Sequence, residues 1–143
     1  MKKFGLIGYP LEHSFSKKYF EKKIKNEKLD NVRYDNYEID NFNKLIDIID
    51  ENPELLGLNV TIPYKEKIIS LLDGLDETAK KIGSVNTIKI IDGKLIGFNT
   101  DHSGFKHSLL NWKVPIKNIS ALILGTGGSS KAIKYTLNEL NIP

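Results

Sequence analysis

The chain has 143 residues, a net charge of +3, 40% hydrophobic and 27% charged residues, which suits one ordinary globular domain with a real core. It has no cysteine, which excludes disulfides, thiolate metal sites and cysteine nucleophiles. Lysines and carboxylates alternate as on solvated helix faces, not as a nucleic-acid footprint, and no apolar run approaches the roughly 20 residues of a membrane span. Met1-Lys2-Lys3 is not followed by a signal-peptide core, so a cytoplasmic protein is the default.

Lys3 to Tyr9 reads as a short apolar strand closed by Gly8 and Pro10. A loop, Leu11 to Ser16, then enters a helix for which Ser14 or Ser16 is the N-cap. Phe15, Tyr19, Phe20 and Ile24 give that helix its apolar stripe. Val32 to Ile39 is a strand, rich in Val and Tyr. Asp40 or Asn41 caps the next helix, where Phe42, Leu45, Ile46 and Ile49 recur at helical spacing until Pro53.

Leu55 to Leu58 leads a buried strand into Asn59-Val60-Thr61-Ile62-Pro63-Tyr64-Lys65. Asn59 and Thr61 share one face at the carboxyl end of that strand. Pro63 suits the first turn of a helix, which puts Lys65 at or near a helix start. A cation there opposes the helix dipole, which would make the amine a usable acid–base group; a solvated lysine is the plainer reading.

Ile68, Ile69, Leu71 and Leu72 form another helical face, interrupted at Gly74, and Asp76 to Ile82 is a further short helix. Ser84 to Ile91 and Lys94 to Asn99 are strands joined by a tight Asp92-Gly93 turn. Asp101 caps a helix with Phe105, Leu109 and Trp112 on one face, broken at Val114-Pro115. Ser120 to Leu124 is a compact buried strand, and Gly125-Thr126-Gly127-Gly128 leads into a helix carrying Ala132, Ile133, Leu137 and Leu140.

Strands alternating with helices imply an α/β fold with a mostly parallel sheet and helices on both faces, the hairpin adding an antiparallel member. The organisation divides into an α/β domain over residues 1–100 and a second unit over 101–143 that holds a connecting helix, one strand, a glycine turn and one helix. That second unit cannot bury both its apolar faces and reads as unfinished.

Gly125-x-Gly127-Gly128 between strand and helix is the context of a dinucleotide-binding turn. Glycines permit close approach to a pyrophosphate, and the helix amino end attracts the anion. The usual third glycine is replaced, Ser130 taking its place. Ser14 and Ser16 can hold a carboxylate or simply cap a helix. His13 reads as structural or exposed, and His102 and His107 as solvent-facing. Lys65 and Asp101 both follow carboxyl ends of strands, where open α/β sheets bind ligands. If they meet, the pair suits moving a hydroxyl proton while hydride leaves the adjacent carbon.

Five segments together resemble the shikimate dehydrogenases: Gly8 to Ser16, Asn59 to Lys65, Gly83 to Thr87, Gly97 to Asp101, and Gly125 to Ala132. The resemblance implies a three-layer α/β/α substrate domain with a mostly parallel mixed sheet, followed by the first strand–helix unit of a Rossmann domain. It implies NADP-dependent interconversion of 3-dehydroshikimate and shikimate in aromatic amino-acid biosynthesis. Ser14 and Ser16 would hold the substrate carboxylate, and Asn59, Thr61, Asn86 and Asp101 its ring hydroxyls. Lys65 and Asp101 would be the catalytic pair, with proton transfer chiefly at Lys65. Gly125, Thr126, Gly127, Gly128 and Ser129 would lie at the NADP pyrophosphate.

The sequence departs from the family at Lys17 to Glu21, where a proline and a His-Asn pair are common. Thr126 and Lys131 replace a common alanine and arginine. The family's remaining nucleotide domain and returning final helix would lie beyond Pro143, so the resemblance implies an amino-terminal portion with little or no turnover alone. A non-catalytic module binding a shikimate-like ligand, or a dehydrogenase using quinate or NAD, are the alternatives. No nucleic acid or membrane is expected as a partner, and a homodimer is left open.

Overall fold

The computed structural model describes residues 1–112, 116 and 118–143. Its centre is a six-stranded mixed sheet in the order β2-β1-β3-β5-β6-β4. The strands are β1 (Lys2–Gly8), β2 (Val32–Glu38), β3 (Leu55–Val60), β4 (Gly74–Leu75), β5 (Thr87–Ile91) and β6 (Lys94–Phe98). β1 pairs in parallel with β2 and β3, and β4 with β6. β5 runs antiparallel to both β3 and β6. The helices are α1 (Ser16–Asn26), α2 (Leu45–Glu51), α3 (Glu77–Ile82), α4 (Asp101–Asn111) and α5 (Gly128–Glu139).

Side-chain alternation along the strands sorts the apolar residues into two layers. One face carries Ile7, Leu58, Val60 and Ile88, packed with Leu45, Ile48, Ile68 and Ala79 from the segments that cover it. The other face carries Leu6 and Tyr34, which pack with Leu11 and with Phe20 and Ile24 of α1. The Phe20 and Tyr34 rings stack at 4.3 Å between centroids. An apolar groove of about 750 Å³ continues on this face, with Leu56, Ile90 and Phe98 in its wall.

Several local expectations are met by identifiable residues. Asp92 and Gly93, with φ of 49° and 76°, make the left-handed turn of the β5–β6 hairpin. Asp76 caps α3 by accepting from the N–H groups of Ala79 and Thr78. Asn41, not Asp40, caps the short 3-10 turn Phe42–Lys44 that leads into α2. β5 begins at Thr87, three residues later than the sequence pattern suggests. The Val85 N–H is given instead to the Lys65 carbonyl at 2.7 Å.

That bond also accompanies a larger difference. No α-helix starts at Pro63. The chain makes turns through Ile62–Glu66 and then a 3-10 helix, Lys67–Leu71. The Lys65 carbonyl takes the Val85 N–H, and the Ile69 N–H bonds to the Glu66 carbonyl three residues back instead of to Lys65. Tyr64 pins the same turn, its hydroxyl donating to the Ile39 carbonyl at 2.6 Å. The helix-dipole argument for Lys65 therefore loses its helix.

The last third of the chain departs from its sequence pattern at Ser120 to Leu124, at His102 and at Trp112. Ser120 to Leu124 forms no strand, and Leu122 and Leu124 are 85% and 88% exposed. A strand is defined by its ladder, and among the described residues this segment has only the Ala121 N–H bond to the Pro143 carbonyl. His102 is not solvent-facing; its side chain is 14% exposed and its Nε2 lies 2.6 Å from Glu139. Lys106 reaches the same carboxylate at 3.1 Å, which fastens α4 to α5. Trp112 is exposed rather than packed, and the Val114-Pro115 break lies outside the described residues.

Two predictions follow from this packing. Ile7→Ala, at a fully buried site, lowers stability by about 3 kcal/mol in urea unfolding, whereas Leu122→Ala changes it by less than about 0.5 kcal/mol. His102, then Lys106, holds the Glu139 carboxyl below its ordinary range. A depressed carboxyl stabilises above its unfolded value and stops doing so as pH falls through the folded one. NMR contacts between the His102 and Tyr135 rings, which meet edge to face, therefore persist through the ordinary carboxylate range and fade only as pH falls below it.

Candidate active site

The polar cleft lies at the carboxyl ends of β3 and β6. β5 stands between them and opposes both, so two reversals leave β3 and β6 pointing the same way. Lys65, just past β3, and Asp101, just past β6, thus arrive at one edge. Lys65 Nζ donates to Asp101 Oδ2 at 2.6 Å. The two side chains are 13% and 31% exposed, so the pair is largely shielded yet open on one side.

Asp101 is free for this contact because it does not cap its own helix. It is the first residue of α4, and Asn99 Oδ1 accepts the His102 N–H at 3.2 Å in its place. The second carboxylate oxygen of Asp101 accepts from Asn86 Nδ2 at 2.9 Å. Asn86 is itself fixed on both sides of its amide. Its Nδ2 also donates to Thr100 Oγ1 at 2.8 Å, and its Oδ1 accepts the Thr100 N–H at 2.8 Å.

From Asn86 the hydrogen bonds run across the sheet. Thr87 Oγ1 donates to Asn86 Oδ1 at 3.2 Å and accepts from Asn59 Nδ2 at 3.3 Å. Asn59 Oδ1 accepts from the Tyr34 hydroxyl at 2.9 Å. Burial pushes the Tyr34 phenol up to about 12, with the Ser16 hydroxyl beside it working the other way. The phenol is therefore a neutral donor that fixes the Asn59 amide with its nitrogen toward Thr87.

The remaining sequence candidates make their bonds outside this network, apart from the Ser16 hydroxyl beside Tyr34. Ser14 and Ser16 are half-buried, and neither occupies the cap position of α1, which is Phe15. Ser14 Oγ accepts the Ser16 N–H at 3.3 Å. Thr61 is held by its backbone, donating to the Ile7 carbonyl at 2.9 Å and accepting from the Tyr64 N–H at 3.0 Å. His13 and His107 are exposed. Tyr34, Thr87 and Thr100 belong to the network without having been singled out as site residues. Period-two alternation places Tyr34 on the α1 face, but only the register, Leu6 opposite Asn59 and Phe4 opposite Tyr34, brings it to the cleft.

The glycine turn comes up against the same pair. Gly125 has φ of +136°, and Gly127 takes the cap position of α5 with no side-chain cap, which leaves helix N–H groups without side-chain acceptors. Thr126 is exposed. These features suit an anionic phosphate at Gly125 to Gly127. Gly128 has a different constraint. A Cβ there would stand 2.5 Å from Ser84 Oγ and 2.8 Å from Lys65 Cβ. Ser129 Oγ accepts from Lys65 Nζ at 3.0 Å, and Lys131 pairs with Glu66. Among the described residues no group of acidic and histidine side chains is arranged to hold a metal ion, and no helix is long and apolar enough to cross a membrane.

Fold and site together define an α/β unit with a polar cleft at its strand ends, closed by an ammonium–carboxylate pair. The sequence pattern described as "Shikimate dehydrogenase substrate binding domain" matches residues 6–88. The chain belongs to the shikimate dehydrogenase family. It is 46% identical over 106 residues to a shikimate dehydrogenase (NADP(+)) of Clostridium botulinum, covering 70% of this chain and 41% of the relative. It is 44% identical over 141 residues to that of Methanococcus vannielii, covering 96% and 50%. Among solved structures, shikimate dehydrogenase 1 from Peptoclostridium difficile superposes with a TM-score of 0.92 at 36% identity, covering 99% of this chain and 54% of that one. The Thermus thermophilus enzyme in complex with NADP(H) and shikimate superposes with a TM-score of 0.86 at 31% identity, covering 99% and 54%. The chain spans about half the length of the curated relatives it matches.

The raised Tyr34 phenol gives a prediction with a definite sign. A neutral form favoured by folding stabilises below the unfolded value and is lost as pH rises through the folded one. In alkaline urea titrations stability therefore falls between about pH 10 and about pH 12, and Tyr34→Phe removes that part of the fall.

Proposed function

We propose that this chain carries the substrate-binding half of an NADP-dependent shikimate dehydrogenase of aromatic amino-acid biosynthesis, working in the cytoplasm. In this reading residues 1–100 bind 3-dehydroshikimate or shikimate, and residues 101–143 hold the connecting helix and the start of the cofactor unit. The observation that carries the proposal is the 2.6 Å contact between Lys65 and Asp101 at the end of a continuous polar network, in a chain of this family.

Ser14 and Ser16, the latter beside the Tyr34 hydroxyl, hold the substrate carboxylate. Asn59, Thr61 and Asn86 meet its ring hydroxyls, and the Tyr34 and Thr87 bonds keep the Asn59 amide from rotating. Lys65 gives a proton to the carbonyl oxygen of 3-dehydroshikimate as charge develops there, and takes it back in the reverse direction. Asp101 accepts from Lys65 throughout, so it orients the amine and balances its charge. Gly125, Thr126, Gly127, Gly128 and Ser129 would hold NADPH, which when bound would supply the hydride.

Two measurements test the proposal. Calorimetry of this chain with shikimate shows saturable binding, weakened about tenfold by Asn59→Ala. In a full-length version, Lys65→Ala lowers kcat for shikimate oxidation by about a hundredfold or more, with KM changed only a few-fold. An unchanged kcat removes Lys65 from the mechanism, and absence of turnover by the parent enzyme defeats the assignment.

A further inference from the structure

Lys65 is held from two directions. An ammonium has three N–H donors in fixed tetrahedral directions. One goes to Asp101 Oδ2 at 2.6 Å and a second to Ser129 Oγ at 3.0 Å. A single acceptor leaves the amine free to spin about that bond, whereas two acceptors fix the direction of the third N–H. Asp101 lies 36 residues from Lys65 and Ser129 lies 64 residues away, so two remote segments set one proton's aim.

The approach of Ser129 depends on its neighbours. Gly128 packs where a side chain would strike Ser84 Oγ and Lys65 Cβ. Ser84 is fully buried, and its hydroxyl has no hydrogen-bond partner among the described residues. One turn further on, Lys131 pairs with Glu66, the residue after Lys65, and ties α5 to the same loop. The amino end of α5 is thus fastened on both sides of the Ser129 contact.

We infer that Ser129 is a positioning residue for Lys65, and that Gly128 is required as glycine to let Ser129 reach it. The inference rests on the proposed function for its catalytic meaning, though the contact itself does not. The glycine turn then acts on the amine as well as on the cofactor.

The test reads the amine directly. The chain is treated with limiting acetic anhydride, and acetylation of Lys65 is measured by peptide mass spectrometry against the exposed Lys89. Ser129→Ala raises the relative Lys65 rate at least about threefold, because one restraint is gone, and Ser129→Thr, which keeps the hydroxyl, restores it. Gly128→Ala raises it as well, since the added carbon drives α5 away. An unchanged rate in Ser129→Ala, or a Ser129→Thr rate as fast as alanine's, overturns the inference. In a full-length version, Ser129→Ala lowers kcat by about tenfold with the KM for shikimate within about twofold, the mark of lost aim rather than lost shikimate binding. A parent enzyme that turns over no shikimate defeats the proposed function and leaves the labelling result intact.

Discussion

The contact between Lys65 and Asp101 is the constraint on which the cleft depends. Neither residue is useful alone: a lone ammonium would be solvated, and a lone carboxylate at a helix start would serve as a cap. They meet because β5 lies between β3 and β6 and opposes both, which returns two strand ends to one edge. Asn99 then takes over the capping of α4, and Asp101 is released to accept from Lys65 and Asn86. The ion pair is thus a consequence of sheet topology plus one substitution of duties at a helix end.

Around that pair, the polar groups are rigid because each is used twice. Asn86 donates and accepts, Thr87 donates and accepts, and Asn59 joins Thr87 to Tyr34. A network of this kind loses little freedom when a ligand arrives, since its amides and hydroxyls are already oriented. The Tyr34 ring stacks on Phe20, so α1 packing sets the hydroxyl that begins the chain. Core and cleft are coupled through one aromatic side chain.

Much of this was legible in the residues. Asp92-Gly93 marked the hairpin, Asp76 the start of α3, and Leu45 the apolar face of α2, although Ile46 of the same pattern is exposed and Ile48, outside it, is buried. The segments around Lys65, Asp101 and the glycine turn marked the family. What stayed hidden depended on long-range pairing. No local pattern says that the Lys65 carbonyl is given to Val85 while the Ile69 N–H turns back to Glu66, so that a 3-10 helix follows Pro63 in place of an α-helix. Tyr34 looks like any strand tyrosine until the β1–β2–β3 register sets it across from Asn59. Ser120 to Leu124 has the composition of a buried strand, yet composition supplies no partner. His102 reads as exposed until Glu139 and Tyr135 of α5 cover it.

A crystal structure of the chain with shikimate tests the central claim most directly. The account predicts one ring hydroxyl within hydrogen-bond distance of both Lys65 Nζ and the Asp101 carboxylate, with the substrate carboxylate at Ser14 and Ser16. Shikimate bound elsewhere, with that ion pair untouched by ligand, would contradict it.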